Sequence, residues 1–389
     1  MKSNYEALGK HIRLVDYRNS EQVSNNVLGI SIDKEFMPSV ANVIGTDLSR
    51  YKLISKGLFA CNPMHVGRDE RLPIALYEKD SPAMVSPAYF MFEIIDRDVL
   101  NEEYLMMWFR RPEFDRECWF MTDGSVRGGI TWDDLCRIKL PVPSYARQCE
   151  IVESYRAITD RIALKRAEND NLDATAQAVF QEQFASFYGA DELPDGYRII
   201  NLDNLCTVKG GKRLPADCKL LDTPTDHPYI RVRDVGSNRY VCLTNQFQYI
   251  DEETYSAISR YIVNTGDIVI SIVGTIGLLG KIHSSLDKAN LTENCVKLAN
   301  IHTVTSDYLY YTLCYKKQIK EIDLLTVGAV QAKLPMYNIQ SMKILVPPTK
   351  AIEAFQRKMN VLNEQIEANT VEIQKLYELE EVLLAKLSD

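Results

Sequence analysis

The sequence predicts an α+β fold: two mixed α/β modules in tandem repeat, separated by two long helices packed as an antiparallel coiled coil. Three observations lead to this prediction. The chain has 389 residues, enough for two or three ordinary domains. A pattern of residue types returns after a shift of 204 positions. Two segments, 146–185 and 350–389, contain no glycine or proline and carry apolar residues at helical spacing.

The repeat passes through stretches of different predicted structure. At the constant offset, the matched segments are 103–107 with 307–311, 124–127 with 328–331, and 138–143 with 342–347. A fainter match at another offset aligns residues 56–59 with 265–268, which implies that the copies differ in length upstream. A shared register through helix-like, loop-like and strand-like stretches is not expected from chance, so we interpret it as an internal duplication.

Each copy has the same internal order. A mixed region with short β-branched runs comes first, and an amphipathic helix follows near residues 104–109 or 308–315. A strand-like segment then ends at prolines, which cannot continue a β-ladder, and a long helix closes the copy. The predicted division is 1–144 and 187–348 for the two modules, with 145–186 and 349–389 for the two long helices.

The apolar stripes of the two long helices have the 3–4 spacing of a coiled-coil seam. The predicted seam includes Ile158, Ile162, Lys165, Leu362, Ile366 and Asn369. The repeat register places the polar Asn369 opposite Lys165. Packing the helices against each other buries both stripes, and the chain path favours an antiparallel arrangement. Two unrelated helices lying on separate domains are the alternative.

Composition narrows the class of protein. Hydrophobic residues make up 46% and charged residues 25%, as in globular proteins. No run approaches about 18 apolar residues, and the first residues lack an apolar signal core, so we expect a cytoplasmic protein without a membrane partner. The nine cysteines form no CxxC pair and the five histidines do not cluster, so no metal site is expected. The net charge of the chain is −8. Residues 198–343 nevertheless hold 17 Lys+Arg against 14 Asp+Glu, so this segment carries a small basic surplus.

Several segments resemble catalytic motifs but lack residues that the chemistry requires. Residues 274–281 resemble a phosphate loop, yet Ile282 stands where Ser or Thr must hold magnesium. Residues 62–65 lack the second proline and the aromatic residue of an amino-methyltransferase loop, and Asp195 with Asp217 and Lys219 imitates a nuclease site only loosely. We therefore expect a binding protein without catalytic residues.

The binding candidates are basic residues beside glycine or on a strand. Lys209, Lys212 and Arg213 flank two glycines, whose backbone amides can approach a phosphate. Strand alternation would place Arg231 and Arg233 on one face with Tyr229. In the first copy the candidates are Arg68, Arg71 and Arg127. The alternative is that these are solvated basic loops without a ligand.

Residues 208–215, 228–235, 266–277 and 328–334, followed by a proline-ended strand and a long helix, together resemble the DNA-specificity subunit of Type I restriction-modification systems. In that family the modules are target recognition domains, and the resemblance adds Thr275, Gln331 and Lys333 to the expected DNA contacts. The first copy departs from the pattern, because it lacks the Gly-Lys-Arg-Leu-Pro opening and has residues 62–68 in place of the Gly-Thr-x-Gly loop.

The resemblance implies that each module reads one half of a bipartite double-stranded DNA target. It implies two DNA methyltransferase subunits docked on the helices, with an endonuclease/translocase subunit joining the complex. S-adenosylmethionine, ATP and magnesium would then sit on those partners, and this chain would hold no cofactor. The alternative function is a coiled-coil scaffold with two protein- or glycan-binding modules.

Overall fold

A computed structural model describes residues 5–39, 45–64, 66–122, 128–236, 239–244, 247–328 and 332–388. The chain divides into two compact units, the first formed by residues 1–161 with 378–389 and the second by residues 162–377. Each unit therefore combines one mixed module with a part of both long helices, whereas the four-segment division drawn from the sequence keeps modules and helices apart.

The module of the first unit contains two four-stranded sheets and one two-stranded pair. Its strands are β1 (Tyr5–Ala7), β2 (Ile12–Leu14), β3 (Val27–Ile30), β4 (Phe36–Pro38), β5 (Lys52–Ile54), β6 (Phe59–Cys61), β7 (Ile74–Leu76), β8 (Ala83–Val85), β9 (Phe90–Ile94) and β10 (Lys139–Pro141). Its helices are α1 (Val66–Asp69), α2 (Glu102–Phe109), α3 (Pro112–Phe120) and α4 (Trp132–Arg137). The sheets have the orders β2-β9-β6-β7 and β4-β3-β8-β5, and β1 pairs with β10.

The module of the second unit follows the first long helix, α5 (Tyr145–Phe184). Its strands are β11 (Arg198–Asn201), β12 (Thr207–Gly210), β13 (Pro228–Ile230), β14 (Tyr240–Val241), β15 (Gln248–Tyr249), β16 (Ile268–Ser271), β17 (Leu279–Ile282), β18 (Asn290–Leu291), β19 (Cys295–Ala299) and β20 (Lys343–Val346). Its helices are α6 (Glu252–Ile258), α7 (Ser306–Cys314), α8 (Lys316–Leu325) and α9 (Met336–Ser341), and α10 (Thr349–Ala385) closes the chain. The sheets have the orders β12-β19-β16-β17-β14 and β15-β13-β18, and β11 pairs with β20.

The two modules share the order of four strands in one sheet, while the first has two four-stranded sheets and the second a five-stranded and a three-stranded sheet. The order β2-β9-β6-β7 in the first corresponds to β12-β19-β16-β17 in the second. The faint upstream match is also structural, because Gly57 and Gly266 both adopt a φ of 83° just before β6 and β16. That left-handed conformation favours glycine. The predicted fold class, with tandem mixed modules and long helices, is therefore confirmed.

Equivalent helices begin with equivalent side-chain caps. Asn101 precedes α2 and accepts hydrogen bonds from the backbone N–H groups of Glu103 and Tyr104, at 2.9 and 3.1 Å. Thr305 precedes α7 and accepts one from the N–H of Tyr308 at 3.2 Å. Such caps satisfy amides that have no partner in the first helical turn.

The long helices have 40 residues in α5 and 37 in α10. Within the second unit they run antiparallel, since Lys165 contacts Asn369 while Phe180, further along α5, packs against Phe355, earlier in α10. Within the first unit the Tyr155 hydroxyl donates to Glu380 at 2.7 Å. Ile158, Ile162 and Ile366 are buried and Leu362 is half-buried.

Candidate nucleic-acid interface

One end of the five-stranded sheet in the second unit gathers most of the predicted contact residues. The end of β16 at Ser271 pairs with the start of β19 at Cys295, and β12 ends beside β19 at the same level, with Gly210 opposite Val296. The segments that leave these strand ends, 211–213, 272–278 and 292–294, therefore lie at one edge. We call this edge the loop end.

Backbone hydrogen bonds hold the basic segment after β12 in place. The N–H of Gly211 donates to the carbonyl of Cys295 at 3.0 Å, and the N–H of Lys212 donates to that of Leu291 at 2.8 Å. A Cβ at Gly211 would lie 2.0 Å from the carbonyl oxygen of Thr292, so only glycine fits this approach. The side chains of Lys212 and Arg213 consequently project from the loop end and are exposed.

Arg213 already has an anionic neighbour. Its Nε donates to Glu293 Oε1 at 2.6 Å, while 81% of the Arg213 side chain remains exposed. Burial acts to raise the pKa of the Glu293 carboxyl, but hydrogen bonds from Arg213, a backbone N–H and Thr292, together with the charge of Arg213, outweigh it and the pKa is lowered. Glu293 is thus an anion at neutral pH, and a phosphate reaching Arg213 would compete with it.

Thr275 and Lys333 lie on two segments that touch. Residues 272–278 form the turn between β16 and β17, where the Ser271 hydroxyl donates to the Thr275 carbonyl at 2.6 Å. The N–H of Leu334 donates to the carbonyl of Ile272 at 3.0 Å, which places Lys333 beside that turn. Both Thr275 and Lys333 are exposed. Gln331 lies outside the described residues.

The prediction that Arg231 and Arg233 share one face of a strand is wrong. The strand β13 ends at Ile230, and residues Val232–Asp234 form a 3₁₀ turn instead. The Asp234 carboxylate causes this turn, because it accepts the backbone N–H of Arg231 at 2.8 Å and its guanidinium Nε at 2.9 Å. Arg231 is a largely buried structural residue, whereas Arg233 is 58% exposed. Lys209 is exposed on β12.

The first unit builds its loop end differently. The connection between β6 and β7 contains α1, where the second unit has the turn 272–278. The N–H of Ile130 donates to the Pro63 carbonyl at 3.1 Å, the counterpart of the bond between Leu334 and Ile272. Arg68 lies in α1 and Arg71 just after it; both are exposed, and they pair with Asp69 at 2.7 Å and Asp33 at 3.3 Å. Arg127 lies outside the described residues.

A buried ionic cluster fastens α7 to α10 in the second unit. Asp307 Oδ1 accepts from Lys281 at 2.6 Å and from Arg239, and Oδ2 accepts from Gln356 at 2.7 Å and Asn363 at 2.8 Å. Burial acts to raise the pKa of Asp307, but the two cations hold it well below its usual range. Sequence reasoning missed this cluster, because its members are far apart in the chain. The one available signal was the acidic residue that the repeat places near the start of each equivalent helix, at Glu103 and Asp307.

The seam between the long helices contains a polar cluster. Lys165 Nζ donates to Asn369 Oδ1 at 2.9 Å, and Asn369 Nδ2 donates to Asn169 Oδ1 at 2.9 Å. Asn369 is 1% exposed. Because each buried polar group must find its partner, such a cluster favours one register of the two helices.

Neither a metal site nor a membrane-spanning helix is found in the part of the chain that the structure describes. There, His, Cys, Asp and Glu side chains form no group of three or more that could hold a metal ion. No described helix is long and apolar enough to span a membrane.

Clustered exposed basic side chains are one feature of nucleic-acid-binding proteins. Residues 194–382 match the model of the Type I restriction modification DNA specificity domain. The chain is similar to the Type I restriction enzyme MjaIX specificity subunit of Methanocaldococcus jannaschii, with 22% identity covering 76% of this chain and 70% of the relative. It is also similar to the HindI specificity subunit of Haemophilus influenzae, with 20% identity covering 66% and 70%.

One solved structure aligns with nearly the whole length of this chain. The S subunit of a Type I restriction-modification system from M. genitalium aligns over 98% of this chain and 95% of that one, with 14% identity and a TM-score of 0.49. Residues 194–382 therefore form a Type I restriction-modification DNA specificity domain, and the relatives support a DNA-specificity (S) subunit. This confirms the predicted family and the predicted non-catalytic role as the sequence-specific DNA-recognition subunit of such a complex.

Proposed function

We propose that the chain reads a bipartite double-stranded DNA target, one half with each module, and docks two methyltransferase subunits. The observation that carries this proposal is the repeated topology, because each module ends in a loop end with exposed basic side chains. Lys212, Arg213, Arg233 and Lys333 would contact DNA in the second unit, and Arg68 and Arg71 in the first. Cations there can neutralise phosphates, and an arginine can also read a guanine edge with two hydrogen bonds.

The chemistry would belong to the partners. S-adenosylmethionine would sit on the methyltransferase subunits, and ATP and magnesium on an endonuclease/translocase subunit where one joins. This chain would supply DNA contacts and the helices on which partners dock. Since its ligand is DNA, we place it in the cytoplasm. The purified chain alone should neither methylate nor cleave DNA, and turnover by it would contradict the proposal.

The DNA contacts are tested in the assembled methyltransferase. Replacing Lys212, Arg213 and Arg233 together by alanine should weaken binding to every duplex and lower the salt slope by about one for each cation that neutralises a phosphate. A base-reading arginine among them would cost about 1–3 kcal/mol and relax one position of the target. Arg231 stays unchanged, because its loss would release Asp234 and disturb the turn.

The matched control replaces Arg198 and Lys350 by alanine, since both are exposed cations away from the loop end. The control should bind DNA as the unaltered complex does. Equal binding by the triple variant would show that the loop end does not contact DNA. If the unaltered complex selects no sequence from random duplexes, the scaffold with protein- or glycan-binding modules becomes the better explanation.

The long helices would set the spacing between the two half-sequences. Inserting four residues after Arg166 and four after Thr370 adds about 6 Å, or roughly one helical turn, to each helix. Site selection from random DNA should return the same half-sequences with a gap longer by about one or two base pairs. An unchanged gap with intact binding would show that the helices do not determine it.

A further inference from the structure

Among the described residues, the most exposed large apolar side chain of each unit lies in the last turn of an equivalent helix. Phe120 ends α3 and Leu324 lies in the last turn of α8, and each is 85% exposed. The two positions are 204 residues apart, which is the offset of the repeat. A single exposed apolar residue is ordinary on a protein surface. Its recurrence at the same place in both units points to a shared ligand rather than to folding.

A cation accompanies the apolar residue in both copies. Arg116 and Lys320 precede Phe120 and Leu324 by four positions, so cation and apolar side chain lie on one helix face. The two helices have otherwise diverged, with Glu117 and Glu321 the one identical pair across the nine aligned positions. The side chain of Arg116 is 71% exposed and forms an ion pair with Glu113 at 2.9 Å. Lys320 is also exposed.

This pair of side chains lies beside the loop end. In the second unit, Ile322 of α8 approaches Gly277 so closely that a Cβ there would lie 3.3 Å from the Ile322 methyl. Val327, just after α8, exchanges backbone hydrogen bonds of 2.8 Å with Lys333. In the first unit, Asp115 of α3 accepts the N–H of Leu72 at 3.0 Å, next to the exposed Arg71.

We infer that Phe120 and Leu324 contact the base edges or sugars of duplex DNA, while Arg116 and Lys320 contact a neighbouring phosphate. The inference rests on the proposed function and names a further contact of the same sites. The neighbouring cations Arg71 and Lys333 complement a polyanion, and DNA offers apolar surface in its sugars and thymine methyl groups. Proteins also use Phe and Leu as wedges against base steps.

The test uses the complex with its methyltransferase subunits. Phe120→Ser and Leu324→Ser should each weaken binding to the selected site about five- to thirty-fold without changing the salt slope, since no charge is removed. Lys320→Ala should instead lower the slope by about one. The matched control is Ile319→Ser, an exposed apolar residue that the 100° helical step places on another face of α8. It should bind as the unaltered complex does.

A photoreactive phenylalanine analogue at position 120 or 324 identifies the neighbour directly. It should crosslink to the DNA strand in the assembled complex. Crosslinking to a methyltransferase subunit, with assembly weakened in the serine variants, would show a protein-docking surface and overturn the inference. Unchanged DNA affinity in both serine variants would overturn it too. These outcomes leave the proposed function standing, because that function is tested separately by whether the unaltered complex selects a sequence.

Discussion

The two units fasten the same helix to the long helices with different chemistry. In the second, the carboxylate of Asp307 is 3% exposed and holds two cations and two amides. At the equivalent position of the first, Glu103 pairs with Arg156 of α5, whose side chain is 57% exposed. A duplicated backbone thus does not require duplicated interactions, and burial decides how much each interaction contributes.

The loop ends differ in the same way. The hydrogen bonds of Leu334 to Ile272 and of Ile130 to Pro63 are equivalent, but the residue before each donor is Lys333 in one unit and Gly129 in the other. A Cβ at Gly129 would lie 2.7 Å from the Pro63 carbonyl oxygen. The first unit therefore has no side chain where the second offers a cation, so the two modules cannot contact a ligand identically.

The largest expected effect is on the buried cluster. Asp307→Asn preserves shape but leaves Lys281 and Arg239 buried without a counter-charge, and should lower the free energy of unfolding by about 3–5 kcal/mol. Glu103→Gln removes a partly exposed ion pair and should cost about 0–1 kcal/mol. Urea unfolding followed by circular dichroism measures both. The three tryptophans, 108, 119 and 132, all lie in the first unit, so their fluorescence reports that unit separately. Equal losses would contradict the comparison.

The same cluster predicts a dependence on pH. Because the pKa of Asp307 is depressed in the folded protein, its contribution is fully present above the unfolded pKa of about 3.9. It is lost as pH falls from there through the lower folded value. Unfolding free energies measured from pH 5 to 2 should therefore fall less steeply for Asp307→Asn than for the unaltered chain. Parallel curves would show that the carboxylate is not stabilised in this way.

A third prediction compares Gly129 with Lys333. Gly129→Ala forces the backbone at Pro63 to move and should cost about 1–3 kcal/mol. Lys333→Ala removes an exposed side chain and should stay within about 0.5 kcal/mol. Thermal unfolding of both variants tests this difference. A neutral Gly129→Ala would mean that the loop relaxes without cost.

A smaller effect than at Asp307 or Gly129 is expected at Tyr155, which links two charged residues of the first unit. Its hydroxyl donates to Glu380 at 2.7 Å and accepts from Arg110 at 3.1 Å. Tyr155→Phe keeps the buried ring and should cost about 0.5–1.5 kcal/mol in urea unfolding. A loss as large as that of Asp307→Asn would mean that the first unit depends on buried polar contacts as much as the second.

The sequence predicted the features that depend on periodicity. The offset of 204 positions runs through α2, α4, β10 and α5 and returns in α7, α9, β20 and α10. Helices and proline-ended strands leave local patterns, and those patterns survive divergence. The upstream strands were harder to match, because insertions such as α1 change their spacing.

The sequence by itself determined the duplicated modules, the long helices and the family, since each follows from residue types in order along the chain. Only the tertiary structure decided which charges are buried and which face outward. Arg231 and Arg233 belong to the same sequence motif. Asp234 nevertheless stabilises a turn there and binds the Arg231 guanidinium, which is largely buried. Asp307 meets Lys281 and Arg239 only after three distant segments have packed. The energy of a charge depends on its solvent exposure and its neighbours, and a linear sequence specifies neither until it folds.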